Sequence, residues 1–165
     1  MAIRRVHIFT ILLLIQISVF GTEIINIFEN QYNQLTRKMN EYKPLLEKLE
    51  EYNQICEYFT RIEYFYKNCS CVNEEKVVYY FDTEFNEKLR INIYDTNESL
   101  KGAYGLHATS RFFYYKDEIV LFGIYILDSK DADLLITVTN TKERKIMKYL
   151  KLNGKNYFQK ETITY

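Results

Sequence analysis

Apolar and polar positions follow two rhythms along the chain, and the change between them marks its plan. Between residues 22 and 49, Phe28, Tyr32, Leu35, Met39, Tyr42, Leu46 and Leu49 step by three and four, with Asn, Gln, Glu and Lys between them. That spacing lays an apolar stripe along an amphipathic helix. Pro44 interrupts the stripe, and an interior proline removes a hydrogen bond and clashes with the preceding turn. A first-turn position suits proline, so the pattern predicts a second helix starting near Lys43. The seam also fits a heptad register, which leaves two uses for residues 22–50: packing on their own domain, or association with a partner or a second copy.

Residues 52–66 obey both rhythms. Tyr52, Ile55, Phe59, Ile62 and Tyr66 keep helical spacing, while the density of Tyr, Phe, Ile and Thr suits a strand. Beyond residue 75 the period falls to two. Val77, Tyr79 and Phe81 alternate with Val78, Tyr80 and Asp82; Leu89, Ile91 and Ile93 alternate with Arg90, Asn92 and Tyr94. Residues 102–115 and 119–127 form a hairpin pattern about Lys116-Asp117-Glu118, and 134–139 adds another strand. Ile146, Met147, Tyr149 and Leu150 return to a helical stripe, with Thr141 as N-cap and Gly154 just past its end. Residues 157–164 then alternate as a closing strand. The expected class is mainly β with α: an antiparallel β-meander with an N-terminal helical extension and a C-terminal helix.

The first residues assign an address. Arg4 and Arg5 precede an apolar run over 8–20, and Val19 and Gly21 are small enough for a signal-peptidase site. The run falls short of the ~20 apolar residues of a spanning helix. We therefore expect a signal peptide over 1–21, a helical extension over 22–50, a β-domain over 51–165, and a secreted, extracellular protein. Charge adds an exclusion: 22 Lys and Arg balance 22 Asp and Glu, so neither a nucleic-acid footprint nor a polybasic membrane patch is present.

An oxidising compartment favours a disulfide among Cys56, Cys69 and Cys71. Cys69 and Cys71 are too tightly spaced to bridge each other comfortably, which leaves Cys56 with either of them. Zinc lacks a fourth ligand, because His107 is the only histidine beyond residue 21. Asn68-Cys69-Ser70 and Asn97-Glu98-Ser99 are glycosylation sequons.

Catalytic chemistry is not spelled out. One histidine offers no nucleophile–base set, and the five glycines are scattered rather than gathered into a phosphate loop. Asp128, Asp131 and Asp133 lack the EF-hand ligand order. The expectation is a protein that is not an enzyme and uses no cofactor or metal. The aromatic load of the meander has two readings: core filling, or the lining of an apolar pocket with phenols to orient a ligand.

Several stretches share an order with a known family. Residues 55–61, Ile-Cys-Glu-Tyr-Phe-Thr-Arg, precede Asn68-Cys69-Ser70-Cys71-Val72; residues 86–93, Asn-Glu-Lys-Leu-Arg-Ile-Asn-Ile, follow. Tyr125-Ile126-Leu127-Asp128-Ser129-Lys130-Asp131-Ala132-Asp133-Leu134 and Met147-Lys148-Tyr149-Leu150 complete the series. This order resembles the lipocalins of the apolipoprotein D and lazarillo kind: a first strand, a cysteine after it, an Asn-Gly-Lys hairpin, a Tyr-x-Ile-Leu turn and a late helix. The chain departs from the family in having no tryptophan for the Gly-x-Trp motif. The resemblance implies an up-and-down barrel, complete or partial, that carries a small hydrophobic or amphipathic ligand. Tyr79, Phe81, Tyr104, Phe112 and Tyr125 are then its lining, with Arg90 or Arg111 near the mouth. The alternative is an interaction module acting through residues 22–50.

Overall fold

The computed structural model describes residues 29–74, 77–85, 87–92, 99–100, 106–116 and 120–165. Two compact units divide the chain, residues 1–37 and 38–165. Of the first, residues 29–37 are helical, with Tyr32 and Leu35 buried and Glu29, Asn33 and Arg37 exposed. The helix containing them, α1, covers residues 29–41. Within the second unit, α2 (Lys43–Leu46) opens with Pro44 in its first turn, where its missing N–H costs no helical bond.

Helix α3 spans Tyr52–Asn68 and buries Ile55, Tyr58, Ile62 and Phe65. This settles the double rhythm of residues 52–66. A strand would split those four side chains between two faces, whereas steps of three, four and three keep them on one helical stripe. Burying each is worth about 1.5–3 kcal/mol. Residues 55–61, compared above with a first barrel strand, are therefore helical. The helix also overturns a Cys56–Cys69 bridge: at 1.5 Å per residue the two lie about 20 Å apart along it, far beyond disulfide reach. Both thiols are free.

The sheet contains β1 (Ser70–Glu74), β2 (Val77–Asp82), β3 (Glu87–Asn92), β4 (Ser99–Leu100), β5 (Leu106–Lys116), β6 (Val120–Leu127), β7 (Ala132–Asn140), β8 (Lys145–Leu152) and β9 (Phe158–Thr164). Their order is β1-β2-β3-β5-β6-β7-β8-β9, with β4 paired to β5, and each paired neighbour is antiparallel. The alternation expected after residue 75 is thus a meander. Strands β1 and β9 end it, and among the described residues neither pairs with the other.

The expected C-terminal helix is instead strand β8. Its apolar residues fit both rhythms because each face of this strand is covered: Tyr149 and Lys151 are buried on one, Leu150 on the other. Backbone pairing to β7 and β9 on both sides satisfies the main chain, and β-branched and aromatic side chains suit that surface. Thr141 lies in the β7–β8 turn rather than at an N-cap, and Gly154, at φ +73°, serves the β8–β9 turn.

Register fixes the two faces. Leu89, Tyr114, Phe122 and Val138 form one row across β3–β7, and Ile124, Ile136 and Tyr149 lie in the next row of the same face, each of these residues fully buried or nearly so. Here Tyr58 packs its ring 5.8 Å from Tyr114 and 5.1 Å from Phe122, and Phe65 lies 5.9 Å from Tyr114. This is the helix face. Helix α3 crosses it diagonally. Its N-cap residue Glu51 meets Lys160 of β9; Glu57 meets Lys116 of β5 at 3.4 Å; Arg61 meets Glu87 of β3 at 3.9 Å. A 17-residue helix is about 25 Å long, enough to reach across most of the sheet.

A partly buried polar cluster ties Lys38 and Tyr42 to β7. Asp133, at the bulge of β7, accepts from Lys38 Nζ at 2.7 Å and from Tyr42 Oη. Burial works to raise its carboxyl, but those two hydrogen bonds and the charges of Lys38 and Lys151 hold it below the usual range. Burial likewise raises the phenols of Tyr42, Tyr114 and Tyr149, with Asp133, Glu87 and Glu51 respectively adding to the effect.

Candidate ligand-binding face

The opposite surface, the far face, carries the alternate residues of the same strands. Tyr79 of β2 pairs with Arg90 of β3, and the row continues through positions 113, 123, 137, 148 and 161. A second row runs Phe81, Lys88, Tyr115, Leu121 and Thr139. A third contains position 111, Tyr125, Leu135 and Leu150. Alternation alone therefore places these side chains together, because cross-strand partners share a face.

Of the candidate lining residues, Tyr79, Phe81, Arg90 and Tyr125 lie on the far face. Position 111 belongs to the Tyr125 row. Phe112 does not join them: it pairs with Ile91 and Ile124, which puts its position in the row of the helix face. The reason is the one-residue offset between successive strand positions, which exchanges faces. Tyr104 lies outside the described residues, as does Asn97.

The far face is neither a dry core nor an ordinary solvated surface. The rings of Tyr79 and Phe81 stack at 6.2 Å and 20°, Tyr79 half-buried and Phe81 42% exposed. Lys88 Nζ sits 5.4 Å over the Tyr115 ring. Arg90 is half-buried, and its Nε is buried without a hydrogen-bond partner. An unmet donor of that kind calls for water or a ligand acceptor. Lys148, further along the Arg90 row, is matched by Glu161 at 3.7 Å. Toward β6–β8 the face becomes apolar: Leu127, Ala132, Leu135 and Leu150 cluster, with Tyr125 and Leu152 packed against them.

Gly123 joins the polar and apolar ends. A Cβ there would meet Thr137 Oγ1 at 2.7 Å and the Tyr125 ring at 3.0 Å, so Tyr125 lies folded over the glycine. Sequence reasoning passed over Gly123, although an isolated glycine in a dense apolar strand signals close approach. The spacing sets the size of an occupant. Tyr79 in β2 and Tyr125 in β6 are separated by three strand intervals, about 14 Å.

The chain matches no family model, no curated protein and no solved structure. What the site can do is therefore read from its own geometry. The turn over residues 128–133 is held structurally: Asn153 Nδ2 donates to the carbonyls of Ser129 and Lys130 at 3.2 and 3.0 Å.

Proposed function

We propose that this is a secreted, lipocalin-like carrier, which binds an elongated amphipathic ligand on the far face of its sheet and performs no chemistry on it. The ligand's acidic end meets Arg90, and its apolar body runs past Gly123 toward Tyr125, Leu135 and Leu150. The observation that supports this reading is the row arrangement: Tyr79, Phe81, Arg90 and Tyr125 share the face away from α3, and Arg90 Nε lacks a partner. The barrel implied by the resemblance belongs to the same proposal, with β1 and β9 as the strands that closure has to join. Association through residues 22–50 is less favoured, because Met39 and Leu46 of that stripe are already buried.

Titration of the purified protein with a long-chain carboxylate and the alcohol of equal length, followed by tyrosine quenching, tests the reading. The carrier hypothesis expects saturable binding of both, tighter for the carboxylate, with the difference abolished in Arg90→Gln. Absence of saturable binding for either ligand sinks it.

A further inference from the structure

The two ends of the sheet are protected differently, and the difference points to a covalent modification. A terminal strand offers a row of unpaired N–H and C=O groups on which another chain can add, and folded proteins block such edges with charge, bulges or a cover. Strand β9 is blocked by charge. Its centre holds Lys160 and Glu161, fixed by Glu51 and by Lys148 at 3.7 Å. Two copies of β9 paired antiparallel about either residue would set Lys160 against Lys160 or Glu161 against Glu161, which is repulsive.

Strand β1 has no comparable pair. Its sequence, Ser-Cys-Val-Asn-Glu, carries one charge, at its last residue. It starts instead inside a sequon. Asn68 is the last residue of α3, Cys69 is the extended C-cap and Ser70 is the first residue of β1. Asn68 is exposed, and Cys69 is a free thiol, so no bridge ties down the middle of the sequon. The side chain of Asn68 makes one contact that a sugar can tolerate: Nδ2 donates to the carbonyl of Tyr64 at 3.1 Å. A glycosylated amide keeps one of its two hydrogens, so a donor remains on Nδ2 after substitution.

We propose that Asn68 carries an N-linked glycan, and that this glycan closes the β1 edge of the sheet to pairing with other chains. The inference shares only the secretory route with the carrier reading and does not depend on the ligand. In the transfer, Nδ2 of Asn68 attacks C1 of a lipid-pyrophosphate-linked oligosaccharide. The N–C1 bond forms, the C1–O bond breaks with its electron pair leaving on the lipid pyrophosphate, and the amide proton passes to a base of the transferase. Transfer precedes closure of α3, while the sequon is extended. Once the chain folds, the sugar stem stands two residues from the start of the edge, within about 7 Å. Strand β1 is about 17 Å long at five residues, so a bulky oligosaccharide rooted at one end screens much of it.

The test is secretion of the full chain from animal cells, with glycopeptide mass spectrometry and light scattering on the product. The parent is expected to carry a glycan on the Asn68 peptide and to remain monomeric. Asn68→Gln and Ser70→Ala should each lose one endoglycosidase-sensitive mobility step and gain dimer and larger species. Ser70→Thr, which keeps the sequon, and Asn97→Gln should retain the Asn68 glycan and stay monomeric. Ser70→Ala leaves the Asn68–Tyr64 bond available, so it separates loss of the sugar from loss of that contact. Secreted protein with an unmodified Asn68 peptide overturns the site, and a chain that never enters the medium overturns the route. A Ser70→Ala product that lacks the glycan and is as monomeric as the parent overturns the edge role. Ligand titration of the same samples reads the carrier hypothesis independently.

Discussion

Gly123→Ala places a single methyl group at the junction of the far face. Ordinarily alanine is better than glycine in a strand, by about 0.5–1 kcal/mol. Here the added Cβ would stand 2.7 Å from Thr137 Oγ1 and 3.0 and 3.2 Å from the Cε2 and Oη atoms of Tyr125. Thr137 is the direct cross-strand partner of Gly123, and its β-branched side chain has few alternative rotamers. Tyr125 can swing, but only by leaving the Leu127–Leu135–Leu150 cluster. Overpacking of this kind costs about 1–3 kcal/mol, so the net effect is a loss of about 1–2 kcal/mol. With a urea slope of about 1.5 kcal/mol/M, the unfolding midpoint falls by about 1 M. Thr137→Ala removes the nearest obstructing atom, so a double-mutant cycle should recover at least half of the loss. Urea melts followed by near-ultraviolet circular dichroism make the measurement. A Gly123→Ala protein as stable as the parent, or more so, refutes the close approach of Tyr125 and with it the shape argued for the far face.

Two further expectations follow from the helix face. The Asp133 carboxyl is held below its ordinary value, so its contribution is complete above about pH 4, the unfolded pKa, and is lost as pH falls through the folded value. Asp133→Asn should lower stability by about 1–3 kcal/mol at neutral pH and flatten that acid limb in pH-dependent urea melts; an unchanged limb counts against the Lys38–Asp133–Tyr42 cluster. Tyr42, Tyr114 and Tyr149 are raised above the ordinary phenol value, burial being the first cause. Their stabilisation is present below about pH 10 and is lost as pH rises through the folded values. Phenolate absorbance should therefore show these three silent until the fold opens, and their ionisation in a still-native protein contradicts the burial.

Strands β2, β3 and β9 were legible from a period of two, and β5, β6 and β7 from apolar, β-branched and aromatic runs bounded by polar turns. Strand β8 was not, since Ile146, Met147, Tyr149 and Leu150 are all at least half-buried and their run satisfies periods of two and of 3.6 alike. Helix α3 hid for the opposite reason: its stripe was visible, but its Tyr and Phe content is that of a strand. The far face was partly legible. Tyr79, Phe81 and Arg90 were reachable from alternation within a hairpin, whereas the place of position 112 in a row with Ile91 and Ile124 depends on how β5 is registered on β3 and β6. Pairing between distant segments is not written in local periodicity.

Why the proposed carrier reading turns on a cation follows from magnitudes. A ligand burying about 300 Å² of apolar surface gains about 7.5 kcal/mol, and association costs at least about 4 kcal/mol. The remainder corresponds to millimolar affinity, too weak for a carrier. One charge-assisted hydrogen bond from Arg90 adds about 1.5–3 kcal/mol and brings the affinity to tens or hundreds of micromolar. Its half-buried setting matters as much as its charge, because a fully exposed guanidinium interacts with an anion through water at high dielectric. Lys148 cannot substitute while Glu161 holds it at 3.7 Å, and Lys88 is drawn over Tyr115. Among the described cations of this face, Arg90 is thus the one with a buried donor left to give, and affinity for an acidic amphiphile should fall about 10- to 100-fold when it becomes glutamine.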